Sequence, residues 1–322
     1  MLQSGLLALP TSASAQAVRS AGSAVTVGVL TDYAGLPDPM ALRDELARLG
    51  WRDGSNLRLE TRVVDARLQG LDAAAGELLA LNPAALIVLT DGLAQAVKRR
   101  HAEVPIVITL SRDPIGAGLA ASMQRPGGSV TGLMTMYDDI RPKLFQLARQ
   151  VVPRARRFAG MFFYAGPPNA GLDAILARGR DLARQFEAEY LPLQVRDTGE
   201  IEKLLAGLKP AADHVLLVDF SAGMAQNYAR IAALARAAKL ASASVSLRFA
   251  EQGGLLGYGP DIAAYSRRVG AIVDQLLRGA RAGDIPIEQP TLIRMLLNLR
   301  TAREIGIAIP DSLRARADEV IE

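Results

Sequence analysis

The chain has 322 residues, of which 50% are hydrophobic, 22% charged and 5% aromatic, a makeup that fits about two folded domains and excludes a disordered or fibrous chain. The formal net charge of +4 is small for this length and no block of five consecutive Lys or Arg occurs, so composition gives no support to nucleic-acid binding. With no cysteine, disulfides, thiolate metal sites, cysteine nucleophiles and an acylated lipid-anchor cysteine are excluded.

Residues 1–23 carry a short apolar core, Leu6–Leu9, then Pro10 and small residues with Ala13-Ser14-Ala15 and Ala15-Gln16-Ala17 as candidate cleavage sites. This resembles the end of a secretory signal peptide, although no basic residue precedes Arg19; the alternative is a flexible arm. The expectation is an exported chain beginning near Val18, periplasmic and without a lipid anchor. No apolar run approaches the roughly 20 residues of a membrane span.

From Val25 onward strands alternate with helices. Val25–Leu30 is a continuous apolar run, as a buried parallel strand requires. Pro37-Asp38-Pro39 opens a helix with Leu42, Leu46 and Leu49 on one face, stopped by Gly50. Leu57–Val64 reads as a half-exposed strand, Leu68–Leu81 as a helix, Ala85–Thr90 as a buried strand, Gly92–His101 as a helix and Val104–Leu110 as a strand. After the turn Arg125-Pro126-Gly127-Gly128 a second series begins. It runs through Val130–Met134 (extended), Ile140–Val151 (helix), Phe158–Phe163 (strand) and a helix capped by Asn169, with Leu172, Ile175, Leu176, Leu182 and Phe186 on one face. Tyr190–Val195 (strand), Gly199–Leu208 (helix), His214–Asp219 (strand), Ala222–Ala238 (helix) and Leu255–Tyr258 (strand) continue it. Asp261–Leu277 is a long amphipathic helix, Ile285–Gln289 a connector and Arg294–Leu297 an edge strand. The alternation predicts α/β architecture, two doubly wound parallel-sheet lobes with a ligand cleft between them.

Several stretches, in this order and spacing, resemble the ABC-transporter substrate-binding protein family of tryptophan-binding type, within the type I periplasmic binding fold. They are Val27–Leu30; Leu49-Gly50-Trp51 through Gly54–Leu57; Asp113–Leu119; Arg125–Leu133; Gly253–Pro260; Ile285–Thr291; Asn298–Ala302; and Ala317–Ile321. The lipobox cysteine of the lipoprotein members is absent. The resemblance implies a clamshell whose chain crosses between lobes three times. Lobe one takes residues 24–133 plus 260–284 and lobe two takes 138–257 plus 291–322, with hinges near 132–137, 257–260 and 286–291. Gly132, Gly257 and Gly259 suit such hinges.

Ligands of open α/β sheets bind beyond the carboxyl ends of the strands. The candidate contacts in lobe one are Asp32 and Tyr33 after the first strand, Thr90, Asp91 and Gly92 at a helix start able to hold a carboxylate, and Asp113. Tyr137 sits at the first crossing. Lobe two offers Tyr164 and Asn169, then Asp219, Phe220 and Ser221, with Arg248 and Tyr258 near the second crossing. Asp32 or Asp219 can pair with an ammonium group, Arg248 can clamp a carboxylate, and the aromatic residues suit a planar ligand. Most of these residues also have ordinary roles as caps, turns or solvated side chains.

The expected function is that of the solute-binding component of an ABC uptake system. It would close on a small organic solute, an amino acid (aromatic or otherwise) or a related acid, and deliver it to a membrane permease. The chain is expected to act as a monomer, with no nucleic-acid partner. A ligand-presenting partner of a membrane sensor is the alternative. An enzyme ranks behind both: no G-K-[ST], G-x-S-x-G or H-E-x-x-H motif occurs, so no catalytic residue is assigned. Gly116-x-Gly118-x-x-Ala121 formally fits a dinucleotide fingerprint but starts too far past the strand ending at Leu110. The two histidines, His101 and His214, lie far apart in the chain, and neither a metal nor another cofactor is expected.

Overall fold

The computed structural model describes residues 24–33, 36–65, 69–101, 103–208 and 213–322. The segment read as a signal peptide lies outside them. The chain starts with β1 (Val25–Thr31), α1 (Pro39–Arg48), β2 (Leu57–Val63), α2 (Leu71–Ala80), β3 (Ala85–Val88), α3 (Asp91–Arg100), β4 (Ile106–Ser111) and β5 (Val130–Met134). It continues through α4 (Tyr137–Val151), β6 (Arg157–Phe163), α5 (Ala170–Arg184), β7 (Glu189–Val195), α6 (Ile201–Ala206), β8 (His214–Val218), α7 (Ala222–Ala225), α8 (Tyr228–Ala237), β9 (Ala241–Ser244), α9 (Leu247–Glu251) and β10 (Leu256–Pro260). It ends with α10 (Ile262–Leu277), β11 (Ile287–Glu288), β12 (Ile293–Asn298), α11 (Leu299–Ile305), α12 (Asp311–Arg314) and β13 (Glu319–Ile321).

The strands form two sheets, of order β11-β5-β4-β3-β1-β2 and β13-β12-β10-β9-β8-β6-β7. The first is parallel throughout. The fully buried β3 and nearly fully buried β4 are the apolar runs ALIV and IVITLS, as strands covered on both faces require. The second is parallel except that β12 runs antiparallel to β10. Val130–Met134, read as opening the second series, pairs with β4 in the first sheet. Arg294–Leu297 is not an edge: β12 lies between β10 and β13, because the last residues, Glu319–Ile321, add the outer strand.

Helix capping and apolar stripes place the helices. Asp38 accepts hydrogen bonds from the Met40 and Ala41 N–H groups at 2.9 and 3.0 Å, and Pro39 supplies a preset φ at the first helical position of α1. The buried face of α1, with Leu42 and Leu46, packs on Val269, Ile272, Val273 and Leu276 of α10, so this late helix covers the first sheet. Each such side chain, fully buried, contributes about 1.5–3 kcal/mol. Gly132 has φ +133°, and a Cβ there would run into the Ile108 carbonyl of β4. That close strand approach by itself requires glycine at this position.

The span Ala222–Ala238, read as one helix, is two. The Asn227 side chain donates to the Gly223 carbonyl at 2.8 Å, and the break buries Tyr228 edge-on against Phe249, with ring centroids 5.4 Å apart. The strand β9 escaped the sequence reading because its residues, Ala-Ser-Ala-Ser, carry no apolar signal, though all four are buried.

Candidate functional site

The carboxyl ends of the two sheets face one cleft of about 850 Å³, within the range of small-molecule sites. Ten of the residues singled out from sequence line it. From the first lobe come Asp32, Thr90, Asp91, Gly92 and Asp113; Tyr137 stands at the crossing; Tyr164, Asp219, Phe220 and Ser221 come from the second lobe. Tyr33, Asn169, Arg248 and Tyr258 are not among its lining residues.

The first wall is built from strand ends. The Thr90 hydroxyl caps α3, accepting from the Leu93 N–H at 3.5 Å. The Asp91 Oδ2 accepts from the Arg112 and Asp113 N–H groups at 3.0 and 3.3 Å, while its Oδ1 is buried with no hydrogen-bond partner. The Asp32 Oδ1 is buried and unpartnered as well, and desolvation by burial, opposed by a backbone hydrogen bond, raises this carboxyl above its ordinary value. Asp113 is exposed and accepts from the Gly116 N–H at 2.8 Å, a turn role beside its place at the rim.

Opposite lies an ion network that sequence reasoning missed. Arg141 of α4 pairs with Asp219 at 2.5 Å; their side chains are only 14% and 18% exposed. The Asp219 carboxylate raises the Arg141 guanidinium above its usual range. Asp138 lies 3.7 Å from Arg141 and 2.7 Å from Arg178 of α5. One oxygen of Asp219 is therefore taken by Arg141, and the other accepts from the Phe220 N–H at 2.8 Å. Asp138 and Arg141 are three apart at the start of α4, the one available sequence signal; nothing in the sequence marks Arg178, and Arg112 was passed over beside Asp113.

The aromatic wall centres on Phe220. Its ring stacks on the buried Tyr137 with centroids 5.0 Å apart and an interplanar angle of 30°. Burial pushes the Tyr137 phenol well up, so it stays protonated. Tyr164 is half-buried, its hydroxyl donating to the Pro167 carbonyl at 3.2 Å. Ser221 caps α7 through the Met224 N–H at 3.3 Å.

The remaining candidates do other work. Asn169 is exposed and caps α5, accepting from the Gly171 and Leu172 N–H groups at 2.9 and 3.1 Å. Tyr258 lies on β10 opposite Met295 and packs against the core of the second lobe. Tyr33 is buried, edge-on to Phe220, and Arg248 of α9 holds its guanidinium 5.7 Å from the Tyr33 ring centroid. Both of those contacts join the lobes. Among the described residues no group of three or more His, Asp or Glu gathers in a way that could hold a metal ion, and no helix is long and apolar enough to cross a membrane.

A tyrosine-binding protein of Clostridioides difficile (strain R20291) is 21% identical over 258 residues, 80% of this chain and 73% of that protein. Among solved structures, an ABC domain in complex with L-Trp from Streptococcus pneumonia superposes with a TM-score of 0.80 at 20% identity, covering 93% of this chain and 100% of that one. A ligand-free, open substrate-binding protein with adhesive properties from Clostridium difficile gives 0.67 at 17% identity, covering 92% and 99%. At these identities the structural likeness is one of fold: two α/β lobes of the type I periplasmic binding kind. The family model for ABC transporter substrate binding proteins matches residues 25–321, essentially the whole described chain, and the protein belongs to that family.

Proposed function

We propose that the protein binds a small amino acid or related organic acid with an aromatic side chain and delivers it to the permease of an ABC uptake system, working in the periplasm. The observation that carries this reading is the Tyr137–Phe220 stack inside a cleft that also holds unpaired carboxylate. A flat apolar ring gains from stacking on such a wall, about 0.5–1.5 kcal/mol beyond its buried area. The names of the relatives, a tyrosine-binding protein and an L-Trp complex, support the same class.

Because the lining comes from both sheets, a ligand touching both favours the closed arrangement, which is the differential contact that closure needs. The hinges expected near residues 132–137, 257–260 and 286–291 lie at the passages from β5 to α4, from β10 to α10 and from β11 to β12. Gly132, Gly257 and Gly259 themselves sit inside paired strands, so the bending falls on the residues just beyond those strands. The test is a thermal-shift panel of the purified protein against amino acids, aromatic acids, purines and short peptides. Tryptophan, tyrosine or phenylalanine should raise the melting temperature by mass action. No shift with any solute, together with turnover of one of them, overturns the transport reading.

A further inference from the structure

The strands β1 and β3 are neighbours in the first sheet, with Leu30 paired to Val88. Asp32 and Asp91 therefore leave the same edge of the sheet side by side, two and three residues past that pair. Both line the cleft, and each keeps one carboxylate oxygen buried without a hydrogen-bond partner. Among the described residues no arginine or lysine forms an ion pair with either. Asp91 is held in place by its second oxygen, which takes the Arg112 and Asp113 N–H groups. The other oxygen is thus preset and unoccupied by protein.

A buried acceptor left unpaired is unfavourable, and a buried unpaired carboxylate more so. The facing wall differs. There both aspartates, Asp138 and Asp219, are matched by Arg141 and Arg178. The cleft is therefore uneven: unpaired carboxylate oxygens on the first lobe, and on the second two guanidinium groups balanced by two aspartates. Among the described residues that line the cleft, Arg112 is the one cation the first lobe adds, and it is exposed.

We propose that Asp32 and Asp91 together form the seat for a primary ammonium group of the ligand, whose carboxylate faces Arg141 and Arg178 across the cleft. Three N–H donors on one ammonium can serve both unpaired oxygens at once, which a single aspartate cannot exploit. The cleft then takes amino acids and rejects the amine-free acid of the same shape. It also assigns Asp91, at the loop that composition alone read as a carboxylate holder, to the opposite charge. This inference rests on the amino-acid reading above and narrows it.

The test is calorimetric titration of the full chain with three probes per side chain: L-tryptophan, indole-3-propionate and tryptamine, and the tyrosine set L-tyrosine, 3-(4-hydroxyphenyl)propionate and tyramine. The amino acid should bind about tenfold or more tighter than the amine-free acid. Asp32→Asn and Asp91→Asn should each weaken the amino acid by a similar factor and pull that selectivity toward one. Asparagine at 91 keeps a carbonyl oxygen for the Arg112 and Asp113 N–H groups, and the analogue series on the unaltered protein does not depend on any variant folding. If the amine-free acids bind as tightly, or if Asp91→Asn keeps both affinity and selectivity, the ammonium seat is wrong while the amino-acid reading stands. If no amino acid binds, that reading falls, and tyramine and tryptamine decide: binding lost in Asp91→Asn retains the seat, and no binding of either amine overturns it.

Discussion

Tyr33 just beyond the first strand and Phe220 beyond the eighth meet edge to face between the lobes, with ring centroids 6.0 Å apart and planes at 75°. Phe220 also stacks on Tyr137, so one ring ties both lobes and the crossing between them. Phe220→Ala removes both aromatic pairs, each worth about 0.5–1.5 kcal/mol. The ligand-free variant should open, seen as a larger radius of gyration in solution scattering, and its affinity for the ligand should fall about tenfold. An unchanged radius would show that this contact does not hold the lobes together.

Asn169 separates cap from contact. Asn169→Ala should lower stability by about 1 kcal/mol, as loss of an N-cap does, with ligand affinity unchanged. Urea unfolding and titration calorimetry measure the two effects on one sample. A large loss of affinity without a loss of stability would return Asn169 to the binding site.

The Asp32 carboxyl sets a pH dependence. Burial raises it above its ordinary 3.8, so the folded, ligand-free state holds this proton more tightly than the unfolded chain does. The penalty on folding builds as pH rises from 3.8 to that raised value, stays constant above it, and is absent below 3.8, where folded and unfolded states are both protonated. Asp32→Asn should therefore melt higher than the parent at pH 7, with the gap closing as pH falls toward 4. A gap that is constant with pH would locate the effect elsewhere.

Tyr190 lies in a slot framed by two glycines. A Cβ at Gly160 of β6 or at Gly179 of α5 would run into its ring, and desolvation by burial pushes its phenol up to about 12. Gly160→Ala should destabilise by about 1–3 kcal/mol through overpacking, and adding Tyr190→Leu should recover part of the loss. Additive losses in the double variant, read by denaturant unfolding, would mean the two positions do not share that space.

Strand positions were readable because buried parallel strands are apolar runs, and both sheets follow from them. The β9 strand was not, since Ala-Ser-Ala-Ser is buried by its neighbours rather than by its own hydrophobicity. The place of β12 inside its sheet depends on the last residues folding back beside it, a non-local pairing that no local pattern announces. In the site, residues that follow strands were found because position along a strand fixes which edge they reach. Arg141 and Arg178 project from helices, where facing depends on how the helix packs, and their pairing with Asp138 and Asp219 exists only in three dimensions.

The first sheet is closed on one side by Ile287 and Glu288, which pair with Gly132 and Leu133 more than 150 residues earlier in the chain. During synthesis the half that starts first is thus finished late, after nearly all of its partner has emerged. A ribosome-bound fragment ending before residue 285 lacks both that strand and its lock, the Thr131 hydroxyl donating to the Ile285 carbonyl at 2.9 Å. Such a nascent chain should stay sensitive to protease in its first half until residues 285–288 are made and free to pair, whereas the strands from 157 to 260 can already pair.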